Sequence, residues 1–120
     1  MSLTVEDLIW NRAALESGGP SPSEGDLALS AALAAHGMVM NGGVHHAMDV
    51  LSPAELEAAA SGFRFFSLAS VADLLEDAQH LDEGEADRRY WDAIPDDEVL
   101  QNRFRMAYRS SPGAFTPIAG

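Results

Sequence analysis

Residues 26–40 read DLALSAALAAHGMVM, and the apolar side chains of this run fall all round a helical wheel rather than along one stripe. A helix that is apolar on every side belongs in the middle of a fold. The stretch from about Gly25 to Met40 is therefore expected to form a buried central helix. Gly37 inside it would let a neighbouring backbone approach closely, for about 1 kcal/mol of lost helix propensity. Asn41-Gly42-Gly43 ends the run, because both residue types accept the left-handed conformation of a helix C-cap.

Towards the N-terminus, Gly18-Gly19-Pro20-Ser21-Pro22-Ser23 is the clearest break in the chain. It reads as a linker between helices, since the residues before it are too few to make a domain. Thr4 has the character of an N-cap with Asp7 at N3, and Leu3 and Leu8 occupy the positions of a hydrophobic staple. Val5, Leu8, Ile9 and Leu15 give the inward stripe of a helix reaching about Ser17. The organisation expected is thus an N-terminal helix over 1–17, a linker over 18–24 and a core helical region over 25–115, all in one domain.

Towards the C-terminus, Val44, Ala47, Met48 and Leu51 repeat at helical spacing, leaving His45, His46 and Asp49 off the stripe. Ser52-Pro53-Ala54-Glu55 is a strong helix start, with Ser at N-cap, Pro at N1 and Glu at N3. That helix is expected to end near Gly62, with Phe63, Phe65 and Phe66 plugging the core behind it. Ser67 or Ser70 would cap the next helix, where Leu68, Val71, Leu75 and Ala78 face inward and Asp73, Glu76, Asp77 and His80 face out. Leu81 to Gly84 read as a turn, and a helix carrying Tyr90, Trp91 and Ile94 follows until Pro95 breaks it. Asp96 would cap a last helix with Val99, Leu100, Phe104, Ala107 and Tyr108 inward. Ser110-Ser111-Pro112-Gly113 ends it, leaving a tail whose Phe115 docks. About seven helices and no strand pattern give an all-α fold in a single compact domain.

At 120 residues with 47% hydrophobic and 22% charged content, the chain has the composition of an ordered globular domain. No apolar run approaches the ~20 residues of a membrane helix. The opening MSLTVEDLIW lacks the basic region of a signal peptide. Without cysteine there is no disulfide or thiolate metal site, which fits a cytoplasmic location. All seven basic residues are Arg, against nineteen carboxylates, for a formal charge of −12. Such a charge opposes contact with nucleic acid, which requires cationic side chains, and with an anionic membrane surface. It attracts basic proteins.

The charge is concentrated. Residues 73–98, DLLEDAQHLDEGEADRRYWDAIPDDE, hold eleven of the nineteen carboxylates and two arginines, so they carry 2 − 11 = −9 of the −12. Asp73, Glu76 and Asp77 at i, i+3 and i+4 would stand ~5–6 Å apart at Cβ on one helix face. That spacing is comparable with phosphates along a DNA strand, and like charges so placed cost the helix a few tenths of a kcal/mol per pair. Asp82, Glu83, Glu85, Asp87, Asp92, Asp96, Asp97 and Glu98 extend the candidate partner-binding face, while Asp96 to Glu98 also suit a cap and first-turn dipole complement. His36, His45, His46 and Asp49 are candidate metal ligands by residue type, with His45 and Asp49 at i, i+4. Their spacing matches no metal motif, and a buried His36 would more often be a hydrogen-bonded core residue. No nucleophile elbow or phosphate-cradling loop is present, so no catalytic residue and no cofactor is expected.

Several landmarks together resemble a family of small acidic bacterial proteins, the DNA-mimic proteins of the DMP-nineteen type. They are Asn41-Gly42-Gly43 after an apolar helix, Phe63-Arg64-Phe65-Phe66-Ser67-Leu68 leading into Val71-Ala72-Asp73-Leu74-Leu75, and Tyr90-Trp91. Phe104 and Tyr108 followed by Ser111-Pro112-Gly113-Ala114-Phe115 complete the set, which spans roughly residues 27 to 115. The resemblance implies an all-helical fold, no enzymatic activity, a homodimer, and carboxylates standing in for DNA phosphates towards a DNA-binding transcription factor. Val44-His45-His46 departs from the family's pattern after the Asn-Gly-Gly turn. The function expected is an acidic protein-interaction module that blocks DNA access to a regulator. The alternatives are an immunity or antitoxin-like inhibitor of a toxin and a metal-dependent enzyme.

Overall fold

The structure is a computed structural model in which residues 3–118 are described. These residues form α1 (Val5–Glu16), α2 (Glu24–Gly42), α3 (Val44–Val50), α4 (Pro53–Phe65), α5 (Ala69–Asp77), α6 (Glu83–Ala93) and α7 (Asp97–Ser110). Single 3-10 turns lie at Ala78–His80 and Pro112–Ala114, and no strand occurs among the described residues. The fold is therefore all-α. Helix α2 packs against α1, α3 and α4; α5 packs on α4; and α6 closes over α3 and α5. Aromatic rings from α1 (Trp10), α4 and its C-cap (Phe65, Phe66), α7 (Phe104, Tyr108) and the tail (Phe115) meet at centroid distances of 5.0–6.4 Å, tilted or edge-on. Such geometries suit the ring quadrupole.

The helix starts follow local chemistry. Thr4 and Asp7 exchange side-chain to backbone bonds of 3.1 Å in a capping box at α1. Ser52 and Glu55 do the same at α4. Asp96 accepts from the Glu98 N–H at α7. Each satisfies amide donors that the first helical turn cannot pair internally.

Several expectations require correction. Helix α4 runs three residues past Gly62, so Phe63 and Phe65 are helical and Phe66 is the C-cap. Neither Ser67 nor Ser70 caps α5: the N-cap is Leu68, with no side-chain cap. Glu83 and Gly84 are the first turn of α6 rather than part of a turn before it, because Asp82 accepts from the Glu85 N–H and starts the helix there. Helix α2 begins at Glu24 and is not buried all round, with Leu27 and Met40 about half exposed at 54% and 55%. In α1 only one face is covered: Ile9 and Ala13 are buried, whereas Val5 is exposed and Leu15 is 82% exposed. Leu3 is also exposed, so the staple covers little of it.

The close approach expected at Gly37 occurs at Gly62 instead. A Cβ added at Gly37 would meet nothing within 4 Å. One added at Gly62 would collide with the Ala28 carbonyl, where α4 crosses α2. At Gly25 it would strike the Phe115 ring at 2.7 Å. Glycine thus sets the depth to which α4 and the tail sink onto α2.

A buried ion pair fixes the tail. Asp26 is fully buried, and its Oδ1 accepts from Arg12 Nη2 at 2.8 Å. Its Oδ2 accepts from the N–H groups of Ser23 at 3.0 Å and Thr116 at 2.8 Å. The same Arg12 nitrogen donates to the Thr116 carbonyl at 2.7 Å. Thr116 Oγ1 donates to the Ser21 carbonyl, which leaves the Ser23 hydroxyl as the donor in the 2.8 Å contact between them. Burial pushes the Asp26 carboxyl up, but the Thr116 and Ser23 amides and the Arg12 guanidinium outweigh it, and the net displacement is downward.

Two outcomes follow for stability. Gly62→Ala should lower the unfolding free energy by about 1–3 kcal/mol through overpacking, whereas Gly37→Ala should raise it by about 0.5–1 kcal/mol; chemical denaturation of both variants measures the contrast. Asp26→Asn should destabilise by about 3 kcal/mol or more, because it strands a part-buried guanidinium. Because the folded Asp26 lies below its ordinary value of 3.8, its contribution is complete above that pH and is lost as the pH falls through the depressed value. The difference between wild type and Asp26→Asn, read by denaturation at a series of pH values, should therefore shrink below about pH 4.

Candidate functional site

The eleven carboxylates of residues 73–98 do not form one free array. Asp73 and Glu76 project from α5 towards Arg64 of α4, Asp73 at 2.9 Å and Glu76 through both of its oxygens. The Arg64 hydrogen bonds hold the Glu76 carboxyl below its usual range. Glu85 accepts from Arg88 at 2.7 Å and Arg89 at 2.9 Å within α6, and both arginines depress it. Asp92 reaches Arg88 at 3.3 Å. These are exposed pairs that shape the charge pattern more than they stabilise the fold.

Four other members serve the backbone or the core. Asp82 and Asp96 cap α6 and α7. Asp87 leaves α6 to accept from the Val44 N–H at 2.9 Å, supplying α3 with the cap that Gly43 cannot. Gly43 has φ +94°, and a Cβ there would sit 2.9 Å from the Asp87 carboxylate. The Asn41-Gly42-Gly43 landmark is thus the opening through which α6 holds α3. Asp97 Oδ1 meets His36 Nε2 at 2.7 Å.

Asp77, Glu83 and Glu98 remain, exposed and without a hydrogen bond or ion pair from their side chains among the described residues. Asp77 opens into a groove of about 500 Å³ between α5 and α6. Asp73 and Asp77 line it from α5, Asp92 and Arg89 from α6, and Leu74 and Ala93 contribute its apolar surface. Helical periodicity could find the acidic faces of α5 and α6 separately. It could not show that they border one groove, or that Arg64 and Arg89 moderate it.

The histidines separate. His36 is buried, with Nδ1 2.6 Å from the Tyr90 hydroxyl and Nε2 bound to Asp97. The carboxylate only accepts, so Nε2 donates, and in that Nε2–H tautomer Nδ1 accepts from the Tyr90 hydroxyl. Burial, with the Asp97 charge nearby, raises the Tyr90 phenol and keeps it a donor. His45 Nε2 donates to the Ala78 carbonyl at 3.1 Å, and the His46 ring lies over Gly42. Among the described residues no three His, Asp or Glu side chains gather to hold a metal ion. His36, His45, His46 and Asp49 are not brought together as a ligand set.

Tyr90→Phe would leave the buried His36 Nδ1 without its donor. It should cost about 1–3 kcal/mol, measured as a fall in the denaturation midpoint with the helical circular-dichroism signal unchanged.

No helix among the described residues is long and apolar enough to cross a membrane. No protein-family model, no curated protein and no solved structure matches this chain.

Proposed function

We propose that this chain is an acidic protein-interaction module whose α5–α6 face occupies the basic surface of a DNA-binding regulator and so blocks access of DNA. The observation that carries this reading is the α5–α6 groove: Asp73, Asp77 and Asp92 border it, with Leu74 and Ala93 among its lining. An arginine or lysine side chain has the complementary form, an apolar stem with a cationic head. Glu83 and Glu98 add unpaired charge on neighbouring helix starts. The local surplus favours a cationic partner over nucleic acid itself. It also speeds encounter through long-range attraction, which salt screens.

The inhibitor-of-a-toxin reading shares this electrostatic mechanism, and the identity of the partner separates the two. No observation favours a metal-dependent enzyme, because His36 is engaged at both ring nitrogens.

The structure refines the choice of test residues. Asp77→Asn, Glu83→Gln, Asp92→Asn and Glu98→Gln together remove four charges while leaving the Asp82, Asp87 and Asp96 caps and the Asp97–His36 pair intact. Proteins captured from the source extract on the wild type would be purified, and their DNA binding measured with and without this chain. A DNA-binding protein should be displaced from DNA by the wild type, with roughly tenfold or greater loss of affinity for this chain between about 50 and about 200 mM salt. The four-charge variant should fail to displace it. Equal displacement by wild type and variant would sink the proposal, and capture of a toxin domain whose activity this chain abolishes would replace it.

A further inference from the structure

A second cleft, of about 260 Å³, lies between the C-terminal turn of α4 and the C-terminal half of α7. Its chemistry is the reverse of the acidic groove. Arg103 lines it together with Ser67, Ser110 and Ser111, and Phe65 and Met106 contribute apolar surface. Among the described residues, Arg12, Arg64, Arg88, Arg89, Arg105 and Arg109 each have a carboxylate within 4.0 Å, and Arg103 has none. With nineteen carboxylates for seven arginines, that is not a shortage of acid in the chain. Residues 99–118 contain no Asp or Glu, and Glu6 of α1, which reaches Arg105 and Arg109, does not come within 4.0 Å of Arg103.

Ser67 lines the same cleft from the end of α4. It has φ +62°, a left-handed conformation that glycine adopts without strain and serine does not. Glycine would be the easier residue at this helix end. Serine there puts a hydroxyl beside the cleft. Ser17 takes the same conformation at the end of α1, so the backbone geometry belongs to the helix end, and the place of the Ser67 side chain in the cleft is what bears on binding.

We propose that this cleft binds a small carboxylate bearing an apolar tail, of about the size of an N-acylated amino acid. The guanidinium takes the two carboxylate oxygens in a forked pair of hydrogen bonds. The serine hydroxyls donate to the remaining lone pairs, and Phe65 and Met106 cover the tail. One guanidinium suits a single negative charge better than a phosphate dianion. The flanking helix ends are C-terminal, and their negative dipole ends oppose a dianion more strongly than a monoanion, so the guanidinium has to carry the attraction. The site is independent of the acidic face, and either assignment can fail without the other.

The chain, labelled with nitrogen-15, would be titrated with N-acetyl-L-leucine, with N-acetyl-L-leucinamide and with inorganic phosphate, following the Ser67, Ser110 and Ser111 amides. The acid should give saturable shifts at these amides, with the amide and phosphate at least roughly tenfold weaker. Arg103→Gln should abolish the response without moving the denaturation midpoint. Ser67→Gly should weaken binding and raise the midpoint, a combination that a purely structural serine would not produce. The assignment is overturned by any of three results: no saturable response to the acid at tens of millimolar, an equal response to its amide or to phosphate, or wild-type binding by Arg103→Gln.

Discussion

The described structure hangs on one buried carboxylate. Asp26 joins the start of α2, the side of α1 and the tail near residue 116, accepting a hydrogen bond from each of the three segments. Burying Phe115 contributes about 1.5–3 kcal/mol. Ordering the segment from 111 to 118 costs about 1 kcal/mol or more per residue in backbone entropy. Apolar burial of one ring therefore does not hold the tail, and the hydrogen bonds to Asp26 and Arg12 are needed beside it. A charge in the interior is tolerated because each Asp26 oxygen has a partner within 3.0 Å. The arrangement is not perfect: Arg12 Nε is buried without a hydrogen bond among the described residues.

What the sequence revealed and what it concealed divide along physical lines. Signals that act within one helical turn were legible at Thr4, Ser52 and Asp96, whose caps and amides lie within three residues, but not at Asp82 or at the start of α5. The docking of Phe115 was legible too, as an aromatic ring in an otherwise small and polar tail. Contacts between distant segments were not. Nothing in periodicity distinguishes Gly37 from Gly62, since the difference is whether another backbone passes by. Asp26 offered a hint in Ser23-Glu24-Gly25-Asp26, a cap-like spacing at a helix start. Its bonds to Arg12 and Thr116 span 14 and 90 residues. The wheel of α2 misled because Leu27 and Met40 count as apolar yet stand about half exposed, and a wheel does not show which side of a helix lacks a neighbour.

For the candidate site, the sequence identified which residues are acidic and which helices carry them. It did not separate carboxylates with structural duties from those free to meet a partner. Asp82, Asp87, Asp96 and Asp97 each have a partner within the molecule, a backbone N–H for the first three and His36 for the last. For Asp87 and Asp97 that division follows from tertiary placement, whereas Asp82 and Asp96 cap amides two or three residues away. It makes the acidity partly architectural: some of the charge attributed to recognition is needed to start α3, α6 and α7.

Helix α7 carries a further consequence. Its first turn holds Asp97 and Glu98 behind the Asp96 cap, and its later turns hold Arg103, Arg105 and Arg109 without an intervening acid. At 1.5 Å of rise per residue the two groups lie roughly 10–20 Å apart along the axis. Glu6 lies within 4.0 Å of Arg105 and Arg109 and offsets part of this separation, and what remains gives the helix an electric moment of its own. A body with such a moment experiences a torque in the field of a highly charged neighbour, not only a pull. It would turn while still several ångströms of solvent away, presenting its acidic end to a cation before any side chain touches. Rotational searching, normally the slow part of a specific encounter, would be shortened by the internal order of one helix.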